Sequence, residues 1–163
     1  MYTPNLNVVL ADMVRQSLAN GQPAWLTVVS GSMRPLLAVD DEVLVEPIQL
    51  AQLQWGDVVL LREEKGLLTH RFYGAIDGRL HTRGDRNLLP DPPVTADQLL
   101  GRVIARRRHG RLWDWRTPPR QWRLHAIGRI AAGEGRLLPR EVSLYGRVIH
   151  RMAWLLQTLI TPR

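Results

Sequence analysis

The segment Trp25-Leu26-Thr27-Val28-Val29-Ser30-Gly31-Ser32-Met33-Arg34-Pro35 places two serines, a glycine and a proline directly after an apolar run. The apolar run is typical of a β-strand, and glycine and proline are the residues that most strongly interrupt a strand. Gly31 permits a sharp bend and keeps side chains away from an incoming chain, whereas Pro35 stiffens the residues that follow. The segment therefore predicts a strand that ends in a turn carrying two hydroxyl groups.

Short strand-like segments continue from this turn to residue 105. They are mostly β-branched or aliphatic and are separated by Gly, Asp or Pro, and Asp77-Gly78 is typical of a hairpin turn. This pattern predicts a mostly β domain of coiled, hairpin-connected sheets over residues 23–105. The predicted strands are Val43-Leu44-Val45, Val58 to Leu61, Leu67 to Tyr73, Arg79 to Thr82 and Leu100 to Ala105.

A helix is predicted toward each end of the chain. Residues 1–22 are predicted to contain an amphipathic helix that ends near Gly21, because apolar residues recur there at helical spacing. Asp12 and Arg15 interrupt its apolar character, so we expect neither a secretory signal nor a membrane anchor, and a cytoplasmic location. Residues 106–163 form a predicted basic extension with a helix near residues 141–160.

Charge divides the chain into two parts. Residues 1–101 contain 8 Lys and Arg against 12 Asp and Glu, a net charge of −4, whereas residues 102–163 contain 14 against 3, a net charge of +11. The basic part interleaves arginines with Trp113, Trp115 and Trp122. Three interpretations remain open for it: packing of its apolar residues on the β domain or a partner, peripheral association with an anionic membrane, or nucleic-acid binding. The last is disfavoured because no nucleic-acid-binding motif is present.

Four motifs follow the serine turn, and their order carries functional information. They are Gly56-Asp57-Val58-Val59, His70-Arg71, Gly84-Asp85-Arg86-Asn87 with Asp91, and Gly101-Arg102-Val103. Together with the serine turn, they resemble the catalytic core of type I signal peptidases and of the related self-cleaving repressor peptidases. The resemblance covers about residues 25–105 and implies a signal-peptidase-like fold with serine endopeptidase activity.

The resemblance makes Ser32 the nucleophile. A serine hydroxyl is a poor nucleophile at neutral pH, so it needs a base and donors for the tetrahedral oxyanion. The backbone N–H of Ser32 and the hydroxyl of Ser30 would face this oxyanion. Met33 and Pro35, in the same turn, are expected to contact the substrate.

The base is a lysine in one branch of this superfamily and a histidine in another. Lys65 is the single lysine of the chain and follows two glutamates at a predicted hairpin tip, where it would keep its charge. His70 occupies the position where the family places its base, and imidazole accepts protons near neutral pH. The expected base is therefore His70.

The orienting acid is expected to be Asp91. The histidine-type enzymes carry this acid six positions beyond the turn aspartate, and counting from Asp85 leads to Asp91. Asp85 is then an auxiliary residue that shapes the loop, although it remains the alternative third member of the triad.

No cofactor or metal is expected. The chain contains no cysteine, its histidines lack metal-ligand spacing, and its glycines lack phosphate-loop spacing. His81 is expected on a polar strand face, and His109, His125 and His150 are expected to take no part in the site.

These features predict a serine endopeptidase that removes a leader or signal-like segment from a peptide or protein precursor. One alternative is a peptide-binding or membrane-surface module that retains the fold without turnover. A self-cleaving regulatory protein is the weaker alternative, because no helix-turn-helix segment precedes the core and the expected base is not a lysine.

Overall fold

The computed structural model describes residues 6–64, 66–116, 126–127, 129–130 and 144–161. Within them, helix α1 and helix α2 flank an antiparallel β-sheet of eight strands. The prediction of a mostly β fold with an N-terminal helix and a partly helical C-terminal extension is confirmed. The elements in chain order are α1 (Leu6–Ala19), β1 (Ala24–Thr27), β2 (Glu42–Glu46), β3 (Val58–Glu63), β4 (Gly66–Ile76), β5 (Arg79–Arg83), β6 (Val94–Thr95), β7 (Leu99–Arg108), β8 (Arg111–Asp114) and α2 (Leu144–Ile160).

The sheet places strands that are distant in sequence side by side. Its order is β1-β2-β7-β3-β4-β5-β6, and β8 pairs with β7 beside this path. Strands β3, β4 and β5 are joined as consecutive hairpins, with Val59 opposite His70 and Arg71 opposite Arg83. The chain thus brings the predicted base on β4 next to the loop that follows β5.

The main hydrophobic core contains residues from both ends of the chain. Val14 and Leu18 of α1, Leu36 and Leu37 after the serine turn, and the apolar side chains of β2, β3 and β7 are buried together. Burial of this apolar area is the main source of stability. Because Leu36 and Leu37 follow the serine turn so closely, the core anchors that turn.

The basic extension contributes to this core. Trp113 and Trp115 are buried in it, with their rings packed edge to face at a centroid distance of 5.8 Å. Strand β7 also continues past residue 105, the expected end of the catalytic domain, and β8 pairs with its last residues. Because the two tryptophans are buried here, they cannot lie at a membrane interface. Their burial removes one of the observations that favoured membrane association. Trp122 lies outside the described residues.

The opposite charges of the two parts of the chain meet along β7. Arg102 donates to Glu46 at 2.7 Å, Arg107 to Glu42 at 3.0 Å, and Arg108 forms two hydrogen bonds of 2.7 Å with Asp41. Part of the positive charge of the extension therefore neutralises the acidic β2 region and is not free for an external partner.

Helix α2 buries one side and exposes the other. Ala153 and Gln157 are buried, and Ile160 packs against the main core. In the described residues, no helix combines the length and apolar character required to cross a membrane. Among the side chains of α2 that the structure describes, the exposed apolar ones are Val148, Met152, Leu155, Leu156 and Leu159.

Candidate active site

The serine turn links β1 to β2 and projects two hydroxyl groups to the same place. The Oγ atoms of Ser30 and Ser32 are 3.3 Å apart. The carbonyl oxygen of Ser32 accepts a hydrogen bond of 2.8 Å from the backbone N–H of Arg86. This bond ties the serine turn to the loop after β5, which contains the Gly84-Asp85-Arg86-Asn87 motif.

His70 joins the nucleophile candidate to the acid candidate. Its Nε2 is 3.0 Å from the Oγ of Ser32, and its Nδ1 is 2.6 Å from the Oδ2 of Asp91. Because a carboxylate only accepts hydrogen bonds, Nδ1 carries the proton and Nε2 is left to accept the proton of the serine hydroxyl. This is the arrangement that a serine nucleophile requires from its base.

Asp91 is held from two directions. Its backbone N–H donates to the carbonyl of Thr82 at 2.9 Å, and its Oδ2 accepts a second hydrogen bond of 2.8 Å from the Thr82 hydroxyl. The carboxylate remains partly accessible, with 14% of the side chain exposed, whereas the side chain of His70 is 4% exposed. The prolines around Asp91 thus leave it turned toward the site.

The contact of Thr82 with Asp91 was not predicted from the sequence. It lies in the alternating strand Arg79-Leu80-His81-Thr82-Arg83, where every second side chain faces the same side. A threonine pointing inward from such a strand is an ordinary pattern, so nothing in the sequence marks it as the partner of Asp91.

Asp85 lies in a different environment from Asp91. It forms two hydrogen bonds with Arg71, of 2.7 Å and 2.6 Å, and both side chains are fully buried. Arg71 also donates to the carbonyl of Gly56 at 2.7 Å. Asp85 therefore holds the loop on the sheet, and its carboxylate makes no hydrogen bond to His70 within the described residues.

Burial and charge act in opposite directions on Arg71. Burial by itself lowers the pKa of the guanidinium group, but the charge and hydrogen bonds of Asp85 outweigh it and the pKa of Arg71 is raised. Arg71 is thus always charged, and so needs its acidic partner.

Gly84 allows the catalytic groups to approach one another. A Cβ atom at this position would lie 2.9 Å from Nε2 of His70, 2.9 Å from the carbonyl oxygen of Ser32 and 3.0 Å from Nδ2 of Asn87. The first two distances are too short for a carbon atom, and the third is tight. Gly84 belongs to the Gly84-Asp85-Arg86-Asn87 motif, and these close contacts are the reason for a glycine at this position.

An apolar cavity of about 400 Å³ adjoins Ser32. One wall is formed by β1 and the residues after it, from Trp25 to Ser30, and another by residues 66–69 of β4. Met33 is 2% exposed and lines this cavity, whereas Pro35 is half-buried and does not line it. The apolar residues that line it include Leu26, Val28, Leu37, Leu60 and Leu67.

The remaining candidates lie apart from the triad. His81 is half-buried on β5, His109 is exposed in the β7–β8 turn, and Nε2 of His150 donates to the carbonyl of Arg86 at 3.1 Å. Lys65 and His125 lie outside the described residues. Among the residues that the structure describes, no group of three or more His, Asp or Glu side chains is arranged to hold a metal ion.

No protein-family model matches the chain, and no curated protein sequence is significantly similar to it.

Proposed function

We propose that this protein is a serine endopeptidase, similar to signal peptidases of the Ser-His type, that removes a leader or signal-like segment from a peptide or protein precursor. The observation that carries the proposal is the continuous chain of hydrogen bonds from Ser32 through His70 to Asp91. Three segments far apart in the sequence contribute one residue each. A Ser/Gly/Pro turn with a purely structural role would not need a histidine and an aspartate aligned behind its hydroxyl group.

The chemistry follows from the roles of the three side chains. As Oγ of Ser32 attacks the peptide carbonyl, its proton passes to Nε2 of His70, and Asp91 stabilises the resulting imidazolium. The backbone N–H of Ser32 and the Ser30 hydroxyl are the donors offered to the oxyanion. His70 then protonates the leaving amine as the C–N bond breaks. A water molecule, deprotonated by His70, hydrolyses the acyl-enzyme and releases the second product.

The substrate is proposed to bind in extended form beside β1. Among the described strands, this one is at the end of the order and has no strand beside its outer edge, which suits backbone pairing with a peptide. The adjoining cavity is mostly apolar and would take small or medium apolar side chains. A leader or signal-like segment has this chemistry.

Labelling with a serine-directed fluorophosphonate tests the nucleophile without knowledge of the substrate. We expect the wild-type protein to be labelled on Ser32 and the Ser32→Ala protein to remain unlabelled. The matched control is Ser17→Ala on α1, which removes a partly exposed hydroxyl that lines neither the triad nor the cavity. Labelling of Ser32→Ala at the wild-type level would overturn the assignment.

A peptide-binding module without turnover is the second candidate, and the apolar cavity beside an open strand edge favours it. Incubation of the wild-type protein with a mixed peptide library, read by mass spectrometry, separates the two functions. New peptide termini that are absent with Ser32→Ala would support the peptidase. Retention of peptides without new termini or fluorophosphonate labelling would support the binding module.

A further inference from the structure

A second cavity borders the serine turn, and its lining is basic. It has a volume of about 320 Å³ and is lined by Arg34, Arg86, His150, Arg151 and Trp154. It shares no lining residue with the apolar cavity. Helix α2 supplies three of its residues, so the C-terminal extension forms one wall of a cavity beside the proposed nucleophile.

Two of the arginines lie directly against the serine turn. A methyl group added at Gly31 would contact the side chain of Arg34 at 3.7 Å and Nη1 of Arg86 at 3.9 Å. The backbone N–H of Arg86 also donates to the carbonyl of Ser32. Both guanidinium groups are thus within a few ångströms of the residue that precedes Ser32, where a bound substrate must pass.

The arginines of this cavity differ from Arg102, Arg107 and Arg108 of β7 in their acidic neighbours. In the described segments, no Asp or Glu side chain forms an ion pair with Arg34, Arg86 or Arg151, whereas Arg102, Arg107 and Arg108 each have at least one. Three positive charges around one cavity, with no ion-pair partner among the described residues, repel one another and favour occupation by an anion. A carboxylate is well matched, because the guanidinium group can donate two parallel hydrogen bonds to it.

Helix α2 is held at this position by a direct contact. Nε2 of His150 donates to the carbonyl oxygen of Arg86, the residue whose N–H holds the serine turn. Arg151 is the next residue on α2, so the contact places its charge beside the loop after β5. The residues that line the cavity are therefore connected by hydrogen bonds to the turn that carries Ser32.

From these observations, and on the premise of the proposed peptidase function, we propose that the basic cavity is a specificity site for an Asp or Glu side chain of the substrate. An extended peptide advances about 3.3 Å per residue, so the acidic residue lies within about three positions of the cleaved bond. The substrate then combines an apolar segment for the first cavity with a nearby acidic residue for the second.

Cleavage-site profiling tests this inference. A mixed peptide library digested by the wild-type protein should show enrichment of Asp or Glu at a fixed position near the cleaved bond. For a synthetic pair differing only by Glu or Gln at that position, we expect kcat/KM to favour Glu by about tenfold. The double variant Arg86→Glu/Arg151→Glu should reverse the preference toward Lys or Arg, whereas Arg151→Lys should retain it.

The matched control is Arg111→Glu. Arg111 is exposed in the β7–β8 hairpin and lines neither cavity, so its reversal changes the net charge by as much as each single reversal in the double variant, without touching the site. The Glu preference should persist in this variant. An equal loss of preference in Arg111→Glu and in the double variant would overturn the inference, because it would show only a long-range effect of net charge.

Binding measurements separate this inference from the peptidase assignment. Ser32→Ala should bind the Glu peptide about tenfold more tightly than the Gln peptide, read by the fluorescence of Trp154 and the other tryptophans. Cleavage without any acidic preference would overturn the inference and leave the peptidase standing. Preferential binding without cleavage by the wild-type protein would remove the peptidase and keep the cavity as an anion-binding site. Equal binding of the two peptides, or binding of neither, would overturn the inference.

An anionic membrane surface is the competing source of negative charge. Vesicles containing phosphatidylserine, compared with neutral phosphatidylcholine vesicles, form the second arm of the experiment. Loss of phosphatidylserine binding in the double variant, with an unchanged peptide profile, would overturn the proposal and assign the cavity to lipid headgroups.

Discussion

His70 and Arg71 are consecutive residues of β4, and each pairs with an aspartate from the segment after β5. His70 reaches Asp91 and Ser32 at a place that opens to the apolar cavity, whereas Arg71 and Asp85 are completely buried. Because successive strand residues point to opposite faces, one strand supports a reactive pair on one side and a structural pair on the other. Two aspartates paired with basic side chains therefore have two different roles. The His70–Asp91 pair, which reaches the cavity, is the reactive pair, and the completely buried Arg71–Asp85 pair is the structural one.

Removal of the nucleophile or the base should give the largest change in activity. Ser32→Ala and His70→Ala should each lower kcat/KM by at least about 1000-fold, measured on a peptide found by library cleavage. Acidification should lower wild-type activity as well, because a protonated His70 cannot accept the serine proton. Lys65→Ala is the control and should remain nearly fully active. A dead Lys65→Ala protein beside an active His70→Ala protein would favour a serine-lysine mechanism.

Disruption of the buried pair should instead act on stability. Arg71→Met leaves the Asp85 carboxylate buried without its cation, and the free energy of unfolding should fall by about 3–5 kcal/mol. Denaturant titration measures this change, with Ser32→Ala as the reference of nearly unchanged stability. The double variant Arg71→Met/Asp85→Leu should recover much of the loss. No recovery would show that shape, rather than the unpaired charge, controls this site.

Gly84→Ala should disturb the place where the His70–Asp91 pair and the Arg71–Asp85 pair meet. Its Cβ would collide with His70 and with the carbonyl of Ser32, so the serine and histidine would be forced apart. We expect activity to fall about 100-fold, as for other misplacements of catalytic groups by about an ångström. Gly78→Ala, at the exposed β4–β5 turn, is the control substitution and should leave activity close to that of the wild type. Full activity in Gly84→Ala would contradict the close approach.

The smallest expected effect is that of Thr82→Val. The substitution keeps the shape of the buried side chain but removes its hydrogen bond to Asp91, a contribution of about 1 kcal/mol and therefore about fivefold in kcat/KM. Thr82→Ser, which retains the hydroxyl group, should recover activity. A Thr82→Val protein as active as the wild type would show that His70 and the backbone hydrogen bond to Thr82 are sufficient to orient Asp91.

The strands and the triad contacts were foreseeable to different degrees. The strands from Val43 to Ala105 follow from short β-branched or aliphatic segments and turn signals, and the structure has a strand at each predicted position. The short strands β6 and β8 were not predicted. Val94–Thr95 has only two residues, and Arg111–Asp114 is half charged, so neither gives an apolar pattern.

For the site, the family resemblance carried by the motifs implied Ser32, His70 and Asp91, and the structure places them within hydrogen-bonding distance. The ion pair between Arg71 and Asp85 could not be inferred, because pairing depends on which strand faces are buried against each other. The burial of Trp113 and Trp115 could not be inferred from the sequence either. Arginine surrounds them in sequence, but β8 places the arginines and tryptophans in different environments.

The open edge of β1 also bears on how molecules of this protein behave toward one another. An unpaired strand edge can recruit the same edge of a second copy, which promotes self-association and aggregation at high concentration. Two features oppose this here. Strand β1 has only four residues, and the Arg107–Glu42 ion pair lies beside it, with the guanidinium group of Arg107 4.1 Å from the centre of the Trp25 ring. A short edge flanked by charged side chains offers few backbone groups to a second copy, which would limit self-association in concentrated solution.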